Sequence, residues 1–379
     1  MRTVIVGGGI GGLSLARELA LRGIQVAVFE KAPQLNPVGA GIIMNPNAMR
    51  VLERNGLADQ VRRDSWPYLM RETRDQSGKL LAVRDYRPLY EAGKLAQGAL
   101  VHRAHLLNVL YRSLPPGTVS FGKAASGRDF PEADLVIGAD GIHSQVRQEV
   151  FGSHQPRYMG YRSHRLVVDN VAGARCFTEY MGRGQRIGLV PINDKRLYVW
   201  TTYNAFRDER ADLDIPRRFA QFTAPELQRL FAALPPAAGI ITTEIEELWL
   251  EEWFSRNTVL LGDAVHAMTP NIGQGAGMAM EDAAVLAEEL AGNARIEDAL
   301  GNYVRRRKPR VEMVMRISRQ VGDEGQRTNP LVCWLRNRRI TRDARNVEKA
   351  QAELERLLAY SGLDHGQPNG KNQTHRNYG

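Results

Sequence analysis

The stretch that decides the fold is TVIVGGGIGGLSLARELALRGIQVAVFEK, residues 3–31. TVIV is apolar and β-branched, IGGLSLARELALRG has apolar residues at helical spacing, and IQVAVFEK returns to strand composition. Gly23 marks the end of the helix. Two buried strands joined by a helix form a βαβ unit, which predicts a parallel sheet.

Gly7, Gly9 and Gly12 form the pattern GxGxxG between this strand and helix. The first glycine permits a tight turn, the second lets backbone approach a pyrophosphate, and the third lets the helix pack closely. The helix N-terminus attracts phosphate groups. Glu30, at the end of the second strand, can accept both hydroxyls of an adenosine ribose, which argues against a 2′-phosphate. We therefore predict a site for FAD or NAD rather than NADP.

The bulk composition is that of a globular protein with room for two domains: 379 residues, 43% of them hydrophobic. Cys176 and Cys333 are the two cysteines, so we expect no disulfide framework and a cytoplasmic location. Without a CxxC pair or a cysteine-histidine cluster, we expect no metal site. No window reaches about 18 uninterrupted apolar residues, and the chain opens on strand sequence, so we expect neither a membrane span nor a signal peptide.

The net charge is +9, and the densest basic run is VRRRKPRV, residues 304–311. A nucleic-acid-binding surface is one interpretation of this run. It lacks interleaved aromatic residues and adjoins helical sequence, so we predict a solvated helix face and no nucleic-acid partner. Salt-sensitive retention on DNA would support the other interpretation.

The composition along the chain predicts an α/β fold with two interleaved domains. Buried strands and amphipathic helices favour a Rossmann-like FAD-binding domain built from residues 1–64, 98–157 and 251–300. Aromatic, alternating strands favour an antiparallel-sheet substrate domain over 65–97 and 158–250, with one helix near 216–234. Residues 301–362 read as helical, and the polar tail 363–379 is predicted to be disordered.

A second stretch, LLGDAVHAMTPNIGQGAGMAMEDA at residues 260–283, carries a carboxylate, a glycine-bearing loop and the start of a helix. PVGAGIIMNPNA, residues 37–48, stands where an NAD dehydrogenase would continue its helix-strand repeat. Both features favour a long ligand that needs a second anchor, and hence FAD.

Three motifs then occur in a familiar order: GGGIGG…FEK, DLVIGADGIHSQVR and the stretch around Asp263, together with HRAHLLNVL. Over about residues 1–320 the chain resembles the single-component FAD-dependent aromatic hydroxylases, the class A flavoprotein monooxygenases. The motifs are nearest to urate hydroxylases and to salicylate and hydroxybenzoate hydroxylase-like members. The resemblance implies the p-hydroxybenzoate-hydroxylase-like (GR2-type) fold. In place of the family's β-hairpin before DLVIGADG, this chain has KAASGRDFPEA, residues 123–133.

The resemblance also implies which residues contact FAD. Asp263 would bind a ribityl hydroxyl, although a helix cap or turn is the alternative role for a lone aspartate. For His143 and His266 we favour packing or turn roles over catalysis. The implied FAD-binding residues are Gly7, Gly9, Ile10, Gly11, Gly12, Glu30, Lys31, Gly41, Arg103, Asp140, Asp263, Pro270, Gly273, Gln274, Gly275 and Ala276.

The implied reaction uses NAD(P)H and O₂ to hydroxylate an aromatic or heteroaromatic substrate, including an anionic one, through a C4a-hydroperoxyflavin. No second GxGxxG is present, which fits NAD(P)H as a transient co-substrate. Arg186 and Tyr198 lie on neighbouring strands and resemble the substrate-binding pair of urate hydroxylases; sheet-surface roles are the alternative. Trp200 and Tyr203 are further candidates for lining the substrate pocket.

Several alternatives stay open on sequence alone. Urate or a related purine is one substrate candidate, and a hydroxybenzoate, salicylate or quinolone-like ring is another. A flavoprotein oxidase or reductase without substrate hydroxylation is the runner-up function, and a colourless NAD dehydrogenase is a third. We expect a monomer or a homodimer.

Overall fold

The computed structural model describes residues 1–35, 40–234, 239–359 and 362. The predicted disorder of residues 363–379 therefore concerns residues outside this description.

The helices and strands alternate along most of the chain. The strands are β1 Thr3–Val6, β2 Val26–Glu30, β3 Gly41–Met44, β4 Ser65–Tyr68, β5 Met70–Asp75, β6 Leu80–Asp85, β7 Gly98–His102, β8 Val119–Phe121, β9 Leu135–Gly138, β10 Arg157–Asp169, β11 Phe177–Met181, β12 Gln185–Pro191, β13 Arg196–Asn204, β14 Ile241–Glu247, β15 Phe254–Ser255 and β16 Thr258–Leu260. The α-helices are α1 Ile10–Leu21, α2 Pro46–Arg54, α3 Ala58–Arg63, α4 Arg87–Glu91, α5 Arg103–Arg112, α6 Gln145–Phe151, α7 Ile215–Arg218, α8 Pro225–Ala233, α9 Asp263–His266, α10 Gly275–Gly292, α11 Ile296–Gly325, α12 Pro330–Asp343 and α13 Val347–Leu358.

The first sheet has six strands in the order β15-β16-β9-β1-β2-β8. All its neighbouring strands are parallel except the edge pair β15 and β16. β1 is buried along its whole length, because a parallel sheet covered on both faces requires a continuous apolar run. Helix α1 packs against α10 and α5. The predicted βαβ unit and parallel sheet are confirmed.

The second sheet has seven strands in the order β14-β10-β13-β12-β11-β5-β6. It is antiparallel as predicted, except that β5 and β11 are parallel. These two strands are separated by a long excursion through the first sheet, so no hairpin constrains their relative direction. A third sheet has three strands in the order β3-β7-β4. β4 pairs with β7, so this small sheet joins segments that sequence composition assigned to different domains.

The single helix expected near 216–234 is two helices, α7 and α8. Pro225 cannot continue a helix because it lacks an N–H group, so it begins α8 instead. The intervening turn buries Phe219 and Phe222 completely in the hydrophobic core between the second sheet and these two helices. Apolar spacing alone did not reveal this break.

The basic run 304–311 lies on α11 as predicted, but it forms the predicted solvated face only in part, since Arg305 is exposed whereas two other arginines are buried. Arg307 is fully buried and Arg310 is nearly so. Nε and Nη1 of Arg307 lie 2.7 and 2.5 Å from the carboxylates of Asp282 and Glu281 on α10. Nη2 of Arg310 lies 3.3 Å from Glu281. Arg307 and Arg310 can be buried because α10 presents carboxylates to them.

Among the described residues, no helix has both the length and the apolarity that crossing a bilayer would need.

Candidate active site

A cavity of about 700 Å³ lies between the first sheet and one face of the second. The turns that follow β1, β9 and β16 line one side of it. Open parallel sheets bind ligands beyond the carboxyl ends of their strands, so this cavity occupies the expected position.

The glycine turn after β1 is shaped by close backbone contacts. Gly7 has φ +111°, and a Cβ there would lie 2.3 Å from the carbonyl oxygen of Ala139. A Cβ on Gly12 would lie 2.0 Å from the carbonyl oxygen of Gly7, so the third glycine accommodates the turn itself. Gly9 has open space around its Cβ position and, with Ile10 and Gly11, lines the cavity. The turn therefore leaves room for a ligand at its centre.

Glu30 holds the glycine turn in place. Its carboxylate accepts hydrogen bonds from the Gly8 and Ala32 N–H groups at 2.7 and 2.8 Å. Glu30 does not line the 700 Å³ cavity, and neither does Lys31, which is exposed. Each carboxylate oxygen keeps a lone pair, so Glu30 can still accept ribose hydroxyls beside the turn.

The loop of residues 270–275, which we call the ring loop, forms the opposite end of the cavity. Pro270, Gly273 and Gly275 line it, as does Ala276 in the first turn of α10. Gly273 adopts φ +64°, which a residue with a side chain rarely does. The structure turns the Gln274 side chain away from the cavity, where its Oε1 accepts from Asn47 at 2.9 Å.

Two asparagines that the sequence analysis did not single out anchor the ring loop. Asn45 donates from Nδ2 to the Gly273 carbonyl oxygen at 2.8 Å, and Asn47 donates to Gln274 and to Glu281. Asn45 is the N-cap residue of α2, which begins at Pro46, but its side chain makes no capping bond. The sequence carries no signal for this role, because an asparagine before a helix is typical of a helix cap.

Arg103 and Asp263 face the cavity from opposite elements. Arg103 begins α5 and Asp263 begins α9 after Gly262, whose φ is +62°. Both side chains are surrounded by protein yet remain open to the cavity. Burial raises the pKa of the Asp263 carboxyl, although His266 and Arg103 partly offset this. Burial also lowers the pKa of Arg103, which Asp263 partly restores. Each group therefore gains from a polar ligand between them.

The structure does not bring Asp140 into the cavity. Its carboxylate accepts from the Ser144 hydroxyl at 2.6 Å and from the Gln145 and Val146 N–H groups at 2.7 and 3.2 Å. It thus stabilises the N-terminus of α6, a role that the dipole of that helix favours.

The two histidines differ. His266 is buried, with Nε2 lying 2.6 Å from Asp282, and packs on Trp253. This is a packing role. His143 is largely exposed at the rim of the cavity, 3.8 Å from Glu246, and lies in the turn before α6, which fits the turn role rather than the packing role.

Arg186 and Tyr198 project from one face of the second sheet, and both line the cavity. Arg186 is opposite Thr202, whereas Tyr198 is opposite Val190, four residues further along β12. Trp200 lines the cavity between them. Tyr203 points to the other face, where it packs on Phe219. Its proposed pocket role is therefore wrong, because it is one residue out of phase with Thr202.

Arg186 belongs to a buried polar cluster. Nη1 donates to Glu179 at 3.3 Å, Nη2 to Asn271 of the ring loop at 2.5 Å, and Nε to Thr202 at 3.3 Å. Glu179 also pairs with Arg71. Sequence patterns did not identify Glu179 or Asn271, because Arg71 and Asn271 are distant in the chain from the groups that they contact. The cluster links the sheet face to the ring loop.

The residues present fit FAD. The glycine turn is open, and α1 and α10 both begin with no acidic residue in their first turn and no side-chain cap. Their N–H groups are free to meet phosphate at one end of the cavity and an electron-rich ring at the other. Arg103 and Asp263 lie where the middle of a long cofactor would pass.

Comparison with known proteins also indicates an FAD-binding protein. Residues 1–113 and 118–318 match the family described as FAD binding domain. The chain is 34% identical to the Aurachin C monooxygenase/isomerase of Stigmatella aurantiaca over 393 residues, covering 96% of this chain and 99% of that protein. It is 32% identical to the 2-heptyl-3-hydroxy-4(1H)-quinolone synthase of Pseudomonas aeruginosa over 361 residues, covering 89% and 93%. Its structure is similar to that of Klebsiella pneumoniae HpxO complexed with FAD and uric acid, with TM-score 0.84, 28% identity and coverage of 94% and 96%. The chain therefore belongs to the FAD binding domain family and is an FAD-dependent monooxygenase.

Proposed function

We propose that this enzyme hydroxylates a flat, fused heteroaromatic ring that carries an anionic or carbonyl oxygen, and that the ring is a 4-quinolone. The observation that carries the proposal is a row of polar side chains across the second sheet. Arg186, Thr202, Ser163 and Thr243 are directly opposite one another on β12, β13, β10 and β14, and all four line the cavity. Neighbours in such a row have Cβ atoms about 5 Å apart. The row can therefore bind several polar atoms along one edge of a ring.

The next row supplies a flat apolar surface. Gly188 is opposite Trp200, and Trp200 is opposite Arg165. A Cβ on Gly188 would lie 2.0 Å from the indole, so glycine is what allows this ring to lie across the sheet. Cζ of Arg186 is 5.7 Å from the indole centroid. A fused ring that stacks on Trp200 would direct its polar edge towards Arg186.

The charge of the cluster favours an anionic oxygen. Arg71 and Arg186 share the single carboxylate of Glu179, so these three groups carry a net positive charge. Within the described part of the chain, three of the five N–H groups of Arg186 donate to protein acceptors, and its side chain lines the cavity. An anionic ring oxygen held here makes the ring more electron-rich and hence more reactive towards an electrophilic oxygen.

FAD, reduced by NAD(P)H, supplies the activated oxygen when it is bound. The protein holds the cofactor, orients the substrate and excludes water from the ring loop. We propose that residues 1–64, 98–157 and 251–300 form the FAD-binding domain and that 65–97 and 158–250 form the substrate domain, in a cytoplasmic protein. The residues with which we propose it holds FAD in the cavity are Gly9, Ile10, Gly11, Gly41, Arg103, Asp263, Pro270, Gly273, Gly275 and Ala276.

The relatives support the choice of ring. The quinolone synthase is similar over 89% of this chain. An FAD-dependent urate hydroxylase of Klebsiella pneumoniae is 33% identical over a smaller share, 82%. The indole surface suits a ring with an apolar side better than it suits urate, whose edges are polar throughout.

The test is NADH and NADPH oxidation by the purified holoenzyme with a 2-alkyl-4-quinolone, urate, 6-hydroxynicotinate or salicylate, with peroxide and product mass followed. We expect the quinolone to stimulate oxidation, with little peroxide and a product heavier by one oxygen atom. Coupled turnover with urate and none with the quinolone would overturn the choice of ring. Oxidation that no aromatic compound stimulates would favour the oxidase or reductase alternative.

Arg71 provides a matched control for Arg186, because both pair with Glu179 and only Arg186 lines the cavity. Loss of a charged hydrogen bond costs about 1.5–3 kcal/mol, so R186Q should raise KM about 10- to 150-fold. R71Q should change KM less than about threefold. Equal effects of the two substitutions would remove Arg186 from the substrate site.

A further inference from the structure

Helix α12 exposes a group of large apolar side chains, Leu331, Val332, Trp334 and Leu335, which we call the α12 patch. Their exposed fractions are 64%, 41%, 51% and 53%. Leu331, Trp334 and Leu335 have the spacing of one helix face, while Cys333 faces the protein. α12 packs against the edge strand β6, whose Leu80 and Val83 are also exposed. Soluble surfaces rarely cluster apolar side chains in this way without a partner.

Arginines continue the same face. Arg338 lies over the Trp334 ring with Cζ 4.7 Å from its centroid. Arg339, Arg342 and Arg345 follow, all exposed. Carboxylates neutralise only part of this positive charge: Glu324 pairs with Arg339, and Asp343 pairs with Arg342. The face is thus apolar at its beginning and cationic at its end.

This charge pattern distinguishes among the partners that could cover the α12 patch: a second copy of the protein, its own residues 363–379, or a lipid bilayer. In a two-fold contact with a second copy, parallel α12 helices would bring the arginines of both copies together, and antiparallel helices would place them against apolar side chains; neither contact supplies anions to the arginines. The tail 363–379 is polar apart from Leu363 and Tyr378, so it cannot bury four large side chains. An anionic bilayer can bind both the apolar beginning and the cationic end of this helix face, because apolar side chains enter the interface and arginines pair with headgroup phosphates.

We propose that α12 docks this enzyme on the surface of an anionic lipid bilayer. Leu331, Trp334 and Leu335 enter the interface, and Arg338 and Arg342 bind headgroups. The inference does not depend on which ring the enzyme hydroxylates.

Helix α12 lies close to the strand that carries Arg186. A Cβ on Gly325, the last residue of α11, would lie 2.5 Å from Nε of Arg186. Five residues later α12 begins, and its Arg336 donates to the Gly182 carbonyl oxygen at 3.1 Å, just before β12. A bilayer beneath α12 would thus lie beside the strand that carries Arg186.

The test is flotation of the full-length holoenzyme with vesicles of phosphatidylcholine alone or mixed with phosphatidylglycerol. We expect binding to the mixed vesicles, weakened by salt, and a blue shift of tryptophan fluorescence that W334F abolishes. L331S/L335S and R338E/R342E should each weaken binding about tenfold or more without changing NADH oxidation. L21S is the matched control, because Leu21 is 49% exposed on a different helix; it should bind as the wild type does.

Three results would overturn the proposal: no binding to mixed vesicles, undiminished binding by L331S/L335S, or equal loss of binding by L21S. A dimer in sedimentation that L331S/L335S dissociates would instead assign the α12 patch to a second copy.

Discussion

Replacing Glu179 with glutamine tests the buried cluster of Arg71, Glu179 and Arg186 beside the cavity. Glu179 is 2% exposed and is the shared carboxylate between Arg71 and Arg186. Burial by itself would raise the pKa of Glu179, but the two guanidinium groups outweigh it and lower the pKa below its usual value. The substitution keeps the shape and one acceptor oxygen, and leaves two buried cations without their counter-charge.

Removal of one partner from a buried ion pair costs about 3–5 kcal/mol. Glutamine can still accept one hydrogen bond, so we expect a loss of about 3 kcal/mol in the free energy of unfolding. For a chain of 379 residues, the unfolding entropy makes this a fall in Tm of about 4 °C. Because the folded-state pKa of Glu179 is depressed, its contribution is complete above the unfolded pKa of about 4.3 and is lost as pH falls through the lower folded value. The difference between wild type and variant should therefore shrink in acid.

The assay is thermal and urea unfolding of wild type, E179Q, R71M and the double variant E179Q/R71M. Once Glu179 has lost its charge, removing Arg71 relieves repulsion of Arg186, so the double variant should be more stable than E179Q. The coupling should be about 1–3 kcal/mol. Additive losses, or a constant difference between wild type and E179Q down to pH 3, would refute this account of the cluster.

Three further predictions concern single side chains. D263N should weaken FAD binding about 10- to 150-fold in a fluorescence titration, because a charged hydrogen bond is lost. It should raise the Tm of the apoprotein at neutral pH, because burial raises the pKa of Asp263 and so makes its ionised form unfavourable in the fold. A fall in both the FAD affinity and the Tm would contradict this. R307L leaves Glu281 and Asp282 short of a cation, so it should lose about 3–5 kcal/mol and about 4–6 °C in Tm, whereas a neutral effect would mean the cluster relaxes. Y198F should lower kcat/KM about 2- to 10-fold without changing the pH profile of kcat/KM below pH 10. The reason is that burial raises the pKa of Tyr198, although Arg165 and Arg103 partly lower it. Loss of an alkaline limb of this profile in the variant would instead show that Tyr198 ionises.

The local parts of this protein could be predicted from the sequence. GxGxxG between an apolar strand and a helix specifies its own turn, because the close approach of Gly12 to the Gly7 carbonyl oxygen joins residues only five apart. The strand alternation around Arg186 and Tyr198 likewise predicted that both share a face. The stretches that we propose to bind the cofactor are short and continuous, so motif and mechanism could be inferred together.

Only the tertiary structure decided which polar groups are partners. The row of Arg186, Thr202, Ser163 and Thr243 depends on the register of four strands, and no local period records that register. Arg307 and Asp140 show the same limit, since a basic run and an aspartate after a strand take their roles from α10 and α6. Burial of a charge requires a compensating group, and that group comes from wherever the fold places it, which is a property of packing rather than of adjacent sequence.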